Sequence, residues 1–107
     1  MHRLPLKGLS LNNAYVGRRF PAPSLRQFQK DIARLLPRIT VPEGKLSAHF
    51  RFGVSSKASD VDNLVKTSLD AIAEKYGFND KLVYEVHVWK IDCKKGSEFI
   101  EFMLYPA

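Results

Sequence analysis

Cysteine is almost missing from this chain of 107 residues, with Cys93 standing alone. A single thiol excludes an intrachain disulfide and a cysteine-based zinc site. Long apolar runs are missing too. No stretch approaches the roughly 20 residues that cross a bilayer, and Met1-His2-Arg3 leads into a segment too short and mixed for a secretory signal. The expectation is a cytoplasmic protein with no membrane partner. Histidines are few: His2, His49 and His87 are scattered, with no spacing to an acid that suggests a metal pair or a nucleophile triad. Acids are outnumbered, 11 Asp and Glu against 17 Lys and Arg, for a net charge of +6 and a pI near 9.6. Such a surface attracts polyanions, and nucleic acid is the first candidate. A ribosomal or membrane-surface protein carries the same charge, so the balance alone names no chemistry.

What is present is ordinary globular material, 45% hydrophobic and 26% charged, enough for one compact domain over residues 1–107 and too little for two. Leu4 to Leu11 alternates loosely around Pro5 and Gly8 and reads as an irregular or edge strand. Asn12-Asn13-Ala14-Tyr15 opens a polar loop carrying Arg18, Arg19, Pro21 and Pro23, placed to close on a ligand. Ser24 with Gln27 forms a capping-box pattern. A helix follows from about Leu25 to Leu36, with Leu25, Phe28, Ile32, Leu35 and Leu36 at helical spacing and Pro37 to end it. Arg26, Lys30 and Arg34 share a row on its other side, either a solvated face or a track for phosphates.

Lys45 to Val54 alternates apolar and basic residues at the period of a half-buried strand. After a small-residue loop, Val61 to Tyr76 forms the second helix, capped by Gly77. Leu82 to Ile91 and Phe99 to Tyr105 are strand-like, and their short connection over residues 92–97 predicts a hairpin. The expected architecture is a mixed α/β (α+β) domain, a small sheet of about four strands with two main helices packed against it. Trp89, Phe99 and Phe102 are read as core or dimer contacts, His49 and His87 as strand-surface residues, and Cys93 as incidental.

Chemistry concentrates in Asp60-Val61-Asp62-Asn63-Leu64-Val65-Lys66, then Asp70, then Asn79-Asp80. Asp60 and Asp62 sit where a helix begins, so helix capping and the dipole explain them locally. Asp80 has no such explanation. If the strand after it pairs beside the strand before Asp60, three carboxylates converge at one end of the sheet, and a divalent cation offsets their repulsion. Oxygen-only ligands favour magnesium, with manganese as a plausible substitute. Lys66, four residues after Asp62 and four before Asp70, is either one rung of an exposed ion-pair ladder or the group that holds the scissile phosphate. Asn63 orients an acid, contacts DNA, or is a plain first-turn residue.

The run Asp60 to Lys66, the Leu69-Asp70-Ala71-Ile72 segment and Gly77-Phe78-Asn79-Asp80-Lys81-Leu82-Val83 resemble the signature of the RusA-type Holliday-junction resolvases. The Asn12-to-Tyr15 loop and the helix after it are similar to the family's N-terminal half. The resemblance implies a homodimeric, magnesium-dependent endodeoxyribonuclease of DNA recombination and repair that binds four-way DNA junctions, nicks them in pairs and needs no small-molecule cofactor. By position it assigns Asp60, Asp62 and Asp80 to the metal, Lys66 to an essential basic role, and supporting roles to Asn63 and Asp70. Two departures stand out. Family members commonly show paired aspartates where this chain has Asn79-Asp80, and a basic stretch where it has Ser55-Ser56-Lys57-Ala58-Ser59. DNA contacts are therefore expected from Arg18, Arg19, Arg26, Lys30, Arg34, Arg51 and Lys57. A basic DNA-binding module without catalysis, and a metal nuclease for other branched nucleic acids, are the competing readings.

Overall fold

The computed structural model describes residues 1–16 and 20–107. A four-stranded mixed sheet holds β1 (His2–Leu4), β4 (Leu46–Val54), β5 (Val83–Asp92) and β6 (Phe99–Pro106) in the order β1-β6-β4-β5. A small antiparallel ribbon pairs β2 (Tyr15–Val16) with β3 (Phe20–Pro21). Helices α1 (Pro23–Leu35) and α2 (Val61–Tyr76) pack on one side of the sheet. The expected class is met: two main helices on a small mixed sheet.

Periodicity explains the elements directly. In β4, Leu46, Ala48, Phe50, Phe52 and Val54 are buried, and together with Ile100, Phe102 and Leu104 of β6 they face Phe28 and Ile32 of α1 and Leu64, Ala71 and Ile72 of α2. The intervening residues Ser47, His49, Arg51 and Gly53 take the opposite face. Gly53 is there because no side chain fits: a Cβ would lie 2.3 Å from ring carbons of Phe99. That ring in turn carries the Arg3 guanidinium 3.9 Å from its centroid. Gly77 ends α2 in the left-handed conformation, φ 74°, with its amide donating to the Ala73 carbonyl, the C-terminal cap expected of it.

Three expectations are corrected. The first strand covers only His2–Leu4, because Pro5 cannot donate to a ladder and the chain turns back at once, the Leu6 amide donating to the Leu4 carbonyl at 2.8 Å. Ser24 is not the N-cap of α1. That position falls to Ala22 with Pro23 in the first turn and no side-chain cap, while the Ser24 hydroxyl donates to the Asn13 carbonyl at 2.8 Å. It ties the Asn12-Asn13 turn to the helix.

The largest correction concerns the last two strands, which do not form a hairpin. β4 lies between them, parallel to β5 and antiparallel to β6. A strand-helix-strand unit returns its second strand parallel to the first, so β5 takes one flank of β4 and leaves the other to β6. The connection crosses the end of β4, where the Cys93 amide donates to the Val54 carbonyl at 2.8 Å. Ser55 donates to Glu98 at 2.7 Å, a bond that helps hold the Glu98 carboxyl below its usual range.

Candidate active site

The acids at the start of α2 come off the end of β4. The loop between them is anchored from β5, where the Lys90 ammonium donates to the carbonyls of Lys57 (3.1 Å) and Ser59 (3.0 Å). Asp60 then occupies the N-cap position, but its carboxylate makes no capping hydrogen bond. An aspartate at this position ordinarily accepts from an amide of the first turn. The local explanation for Asp60 is thus only half met: the position is a cap, and the side chain is free for something else. Asp62 stands exposed in the first turn, favoured there by the positive end of the helix.

Further along the same face, Lys66 holds two acids. Its ammonium donates to Asp70 Oδ1 at 3.0 Å and lies 3.9 Å from Asp80 Oδ2. The hydrogen bond to Asp70 raises the Lys66 pKa above its ordinary value against a smaller desolvation effect, with the charges of Asp70 and Asp80 and the Tyr15 phenol adding to the rise. The lysine is therefore a fixed cation throughout the neutral range. With 55% of its side chain exposed, the pair adds little to stability. Its use lies in where it puts charge.

Asp80 does not come to the end of the sheet that carries Asp60 and Asp62. Because β5 runs parallel to β4, with Val83 beside Leu46, the entry to β5 lies at the start of β4, and Asp60 follows the other end. The turn Asp80–Leu82 instead lies along the flank of α2. Among the described residues no group of three or more His, Cys, Asp or Glu side chains gathers. The arrangement is an open row: Asp60 and Asp62 at the head of α2, then Lys66 between Asp70 and Asp80. It does not fit a closed cage of three carboxylates. It does fit magnesium's ordinary habit of taking one or two carboxylates, several waters and substrate phosphate, with Asp60 and Asp62 as the pair.

The cations divide among three places. Arg26 and Lys30 line a groove of about 610 Å3 between α1 and α2, together with Lys75 and Glu74. Arg34 extends the row on α1, 4.0 Å from Asp31. Arg51 lies apart, paired with Glu101 at 3.7 Å on the sheet face away from the helices. Lys57 is exposed in the loop before Asp60. Arg18 and Arg19 lie outside the described residues. Sequence reasoning missed Lys75 and Lys90. Lys75 at the end of α2 was visible as a helix-terminal cation, while the link from Lys90 to the Asp60 loop depends on strand pairing that no local pattern shows.

A cleft of about 570 Å3 opens beside Asp60 and Asn63, bounded by the Asn12-Asn13 turn and α1. The polar loop thus sits against the head of α2, and Thr67 donates to the Leu9 carbonyl at 2.6 Å to hold it there. No helix among the described residues is long and apolar enough to cross a membrane.

No curated protein matches the chain. The family model for endodeoxyribonuclease RusA matches residues 13–101, a span that includes the Asn13 loop, both helices, every acid of the α2 row and part of β6. The chain belongs to the RusA endodeoxyribonuclease family and is a nuclease.

Proposed function

We propose that the protein is a magnesium-dependent endonuclease that resolves four-way DNA junctions by paired nicks, in recombination and repair. The observation that carries this reading is the uncommitted carboxylate of Asp60 at the head of α2, in a chain of a DNA-cutting family. Asp60 and Asp62 would hold the metal with Asn63 orienting them, and Asp80 would act beside Lys66, its carboxylate 3.9 Å from that ammonium. When bound, magnesium, or manganese in its place, supplies Lewis-acid stabilisation of the phosphodiester. Lys66 contributes a fixed positive charge opposite the non-bridging oxygens, where negative charge grows in the transition state. Asp70 keeps that ammonium charged and aimed. Arg26, Lys30 and Arg34 follow the phosphate backbone along the helical side, and Lys57, in the loop before Asp60, approaches it near the cut.

Two nicks at one junction require two centres, so the working unit is a two-fold dimer. We assign the second copy to the sheet face that no helix among the described residues covers. Trp89 and Tyr105 are 49% and 42% exposed on it, and His49 stacks on His87 with ring centroids 4.5 Å apart. The Arg51–Glu101 ion pair and the Glu85 carboxylate, 3.6 Å from the His87 ring, put both signs on that surface, which suits contact with an identical face. Light scattering of the Trp89→Glu chain is expected to give the monomer mass with an unchanged circular dichroism spectrum, where the parent gives the dimer mass. A parent monomer, or a Trp89→Glu dimer, removes the assignment.

The nuclease reading itself is tested by incubating junction, duplex and single-stranded DNA with the protein, with and without magnesium. The expected result is nicking of the junction alone, in opposed strands, and only with magnesium. Magnesium-independent binding without nicking would instead leave a basic DNA-binding module.

A further inference from the structure

The cleft beside Asp60 has the wrong charge for a phosphate and the right surfaces for a base. Leu9, Phe28 and Leu64 contribute apolar lining, and Asn13, Gln27 and Asn63 bring side-chain amides to it. At about 570 Å3 it falls within the range of about 300–1,000 Å3 typical of small-molecule sites. Lys7 is its one cation among the described residues, against the carboxylates of Asp31 and Asp60. The cationic groove with Arg26, Lys30 and Lys75 lies on the other side of α1. Phosphate and base are thus offered different walls of the same helix.

We propose that this cleft receives an unstacked nucleobase bearing an amino group, from a nucleotide next to the scissile phosphate. The identification of its source rests on the junction-nuclease reading. Asp31 sets the preference, because a carboxylate can only accept. Its Oδ1 already accepts from Gln27 Nε2 at 2.9 Å and lies 4.0 Å from Arg34, and Oδ2 remains for an incoming N–H. Cytosine, adenine and guanine each offer an exocyclic amino group at the edge of the base, whereas thymine's one N–H on that edge, N3–H, lies between two carbonyl oxygens that a carboxylate repels. Asp60 belongs to the same lining, so a base seated here holds its own backbone beside the acids at the head of α2. A stacked base cannot enter a concave site of this kind. Extrusion costs least for a base already unpaired or lacking a stacking neighbour, which describes the branch point of a junction.

The test uses the full chain and four-way junctions carrying 2-aminopurine at the branch nucleotide, first with a chelator so that nothing is cut. Binding is expected to raise the fluorescence severalfold, as for an unstacked base. In magnesium, junctions with cytosine, adenine or guanine at that nucleotide are expected to be cut on the order of ten times faster than those with thymine. Asp31→Asn should narrow that ratio to about twofold, and Gln27→Leu, at an exposed position, should narrow it too and serves if Asp31→Asn melts early. Absence of the fluorescence rise, or equal rates on all four bases, overturns the cleft proposal, even if cutting itself proceeds and the nuclease reading stands. A fluorescence rise that Asp31→Asn and Gln27→Leu diminish, without any cutting, supports the cleft and removes the junction-resolving reading.

Discussion

Asp60→Asn and Asp80→Asn chains should each lose junction cutting on the order of a thousandfold while binding the junction as tightly as the parent. Each substitution removes one negative charge from a chain of net charge +6, so attraction to DNA does not fall. Asparagine is also about as good an N-cap as aspartate. If Asp60 did no more than begin α2, the Asp60→Asn chain would keep its helix as stable and its cutting as fast. The prediction therefore separates the two roles at one position: an unchanged melting temperature with lost cutting means the carboxylate acts on metal or substrate. Asp80 is the more demanding case, since it lies beside Lys66 and not with Asp60 and Asp62. Full activity in Asp80→Asn would take Asp80 out of the catalytic row and leave the pair at the head of α2, and full activity in Asp60→Asn would remove that metal site altogether.

Lys66→Met should reduce the cutting rate at saturating junction by about 100- to 1,000-fold, the usual cost of removing a preorganised group that stabilises transition-state charge. Stability should change by less than about 1 kcal/mol, because the ion pairs it loses are exposed. The sign of the pH dependence follows from the raised Lys66 pKa. The pairing stabilises the fold below the unfolded lysine value of 10.5 and is lost only as pH rises through the higher folded value, so no loss of activity through this group is expected near neutrality. Asp70→Asn, which removes the charged partner but leaves Asp80 near the ammonium, should fall between Lys66→Met and the parent. Rapid-quench measurement of single-turnover rates, alongside thermal melts, reads both quantities. A Lys66→Met chain that cuts normally but melts much earlier would make Lys66 a structural residue.

The elements are legible wherever one period runs long enough. Lys45 to Val54 and Val61 to Tyr76 fall within a residue of β4 and α2, because Phe50 and Phe52 alternate with His49 and Arg51, and Leu64, Ala71 and Ile72 recur on one helical face. Pairing is not legible. Nothing in Phe99 to Tyr105 says whether its neighbour is β5 or β4, and the short connection favours the wrong one. The same gap hides the position of Asp80, since the run Asn79-Asp80 looks alike whichever end of the sheet it reaches. The acids at the head of α2 are found from order and type alone, whereas the amide-walled cleft needs Asn13, Gln27 and Asn63 from three separate elements. Arg51 shows the converse error: a strand alternates its faces, and its basic residues need not point where the helical cations do.

The strand order also makes the sheet depend on pairings between segments far apart in the chain. Both neighbours of β4 come from residues 83–106, and β1 pairs, among the described residues, with β6 alone. Until β6 emerges, β4 has one flank open and β1 has nothing to join, so closure waits on contacts between distant segments rather than on local hairpins. A ribosome-bound fragment ending before Phe99 would have both helices and the whole acidic row without the central pairing that seats them. DNA cutting is therefore expected only from chains that carry β6, which a fragment ending before Phe99 checks directly.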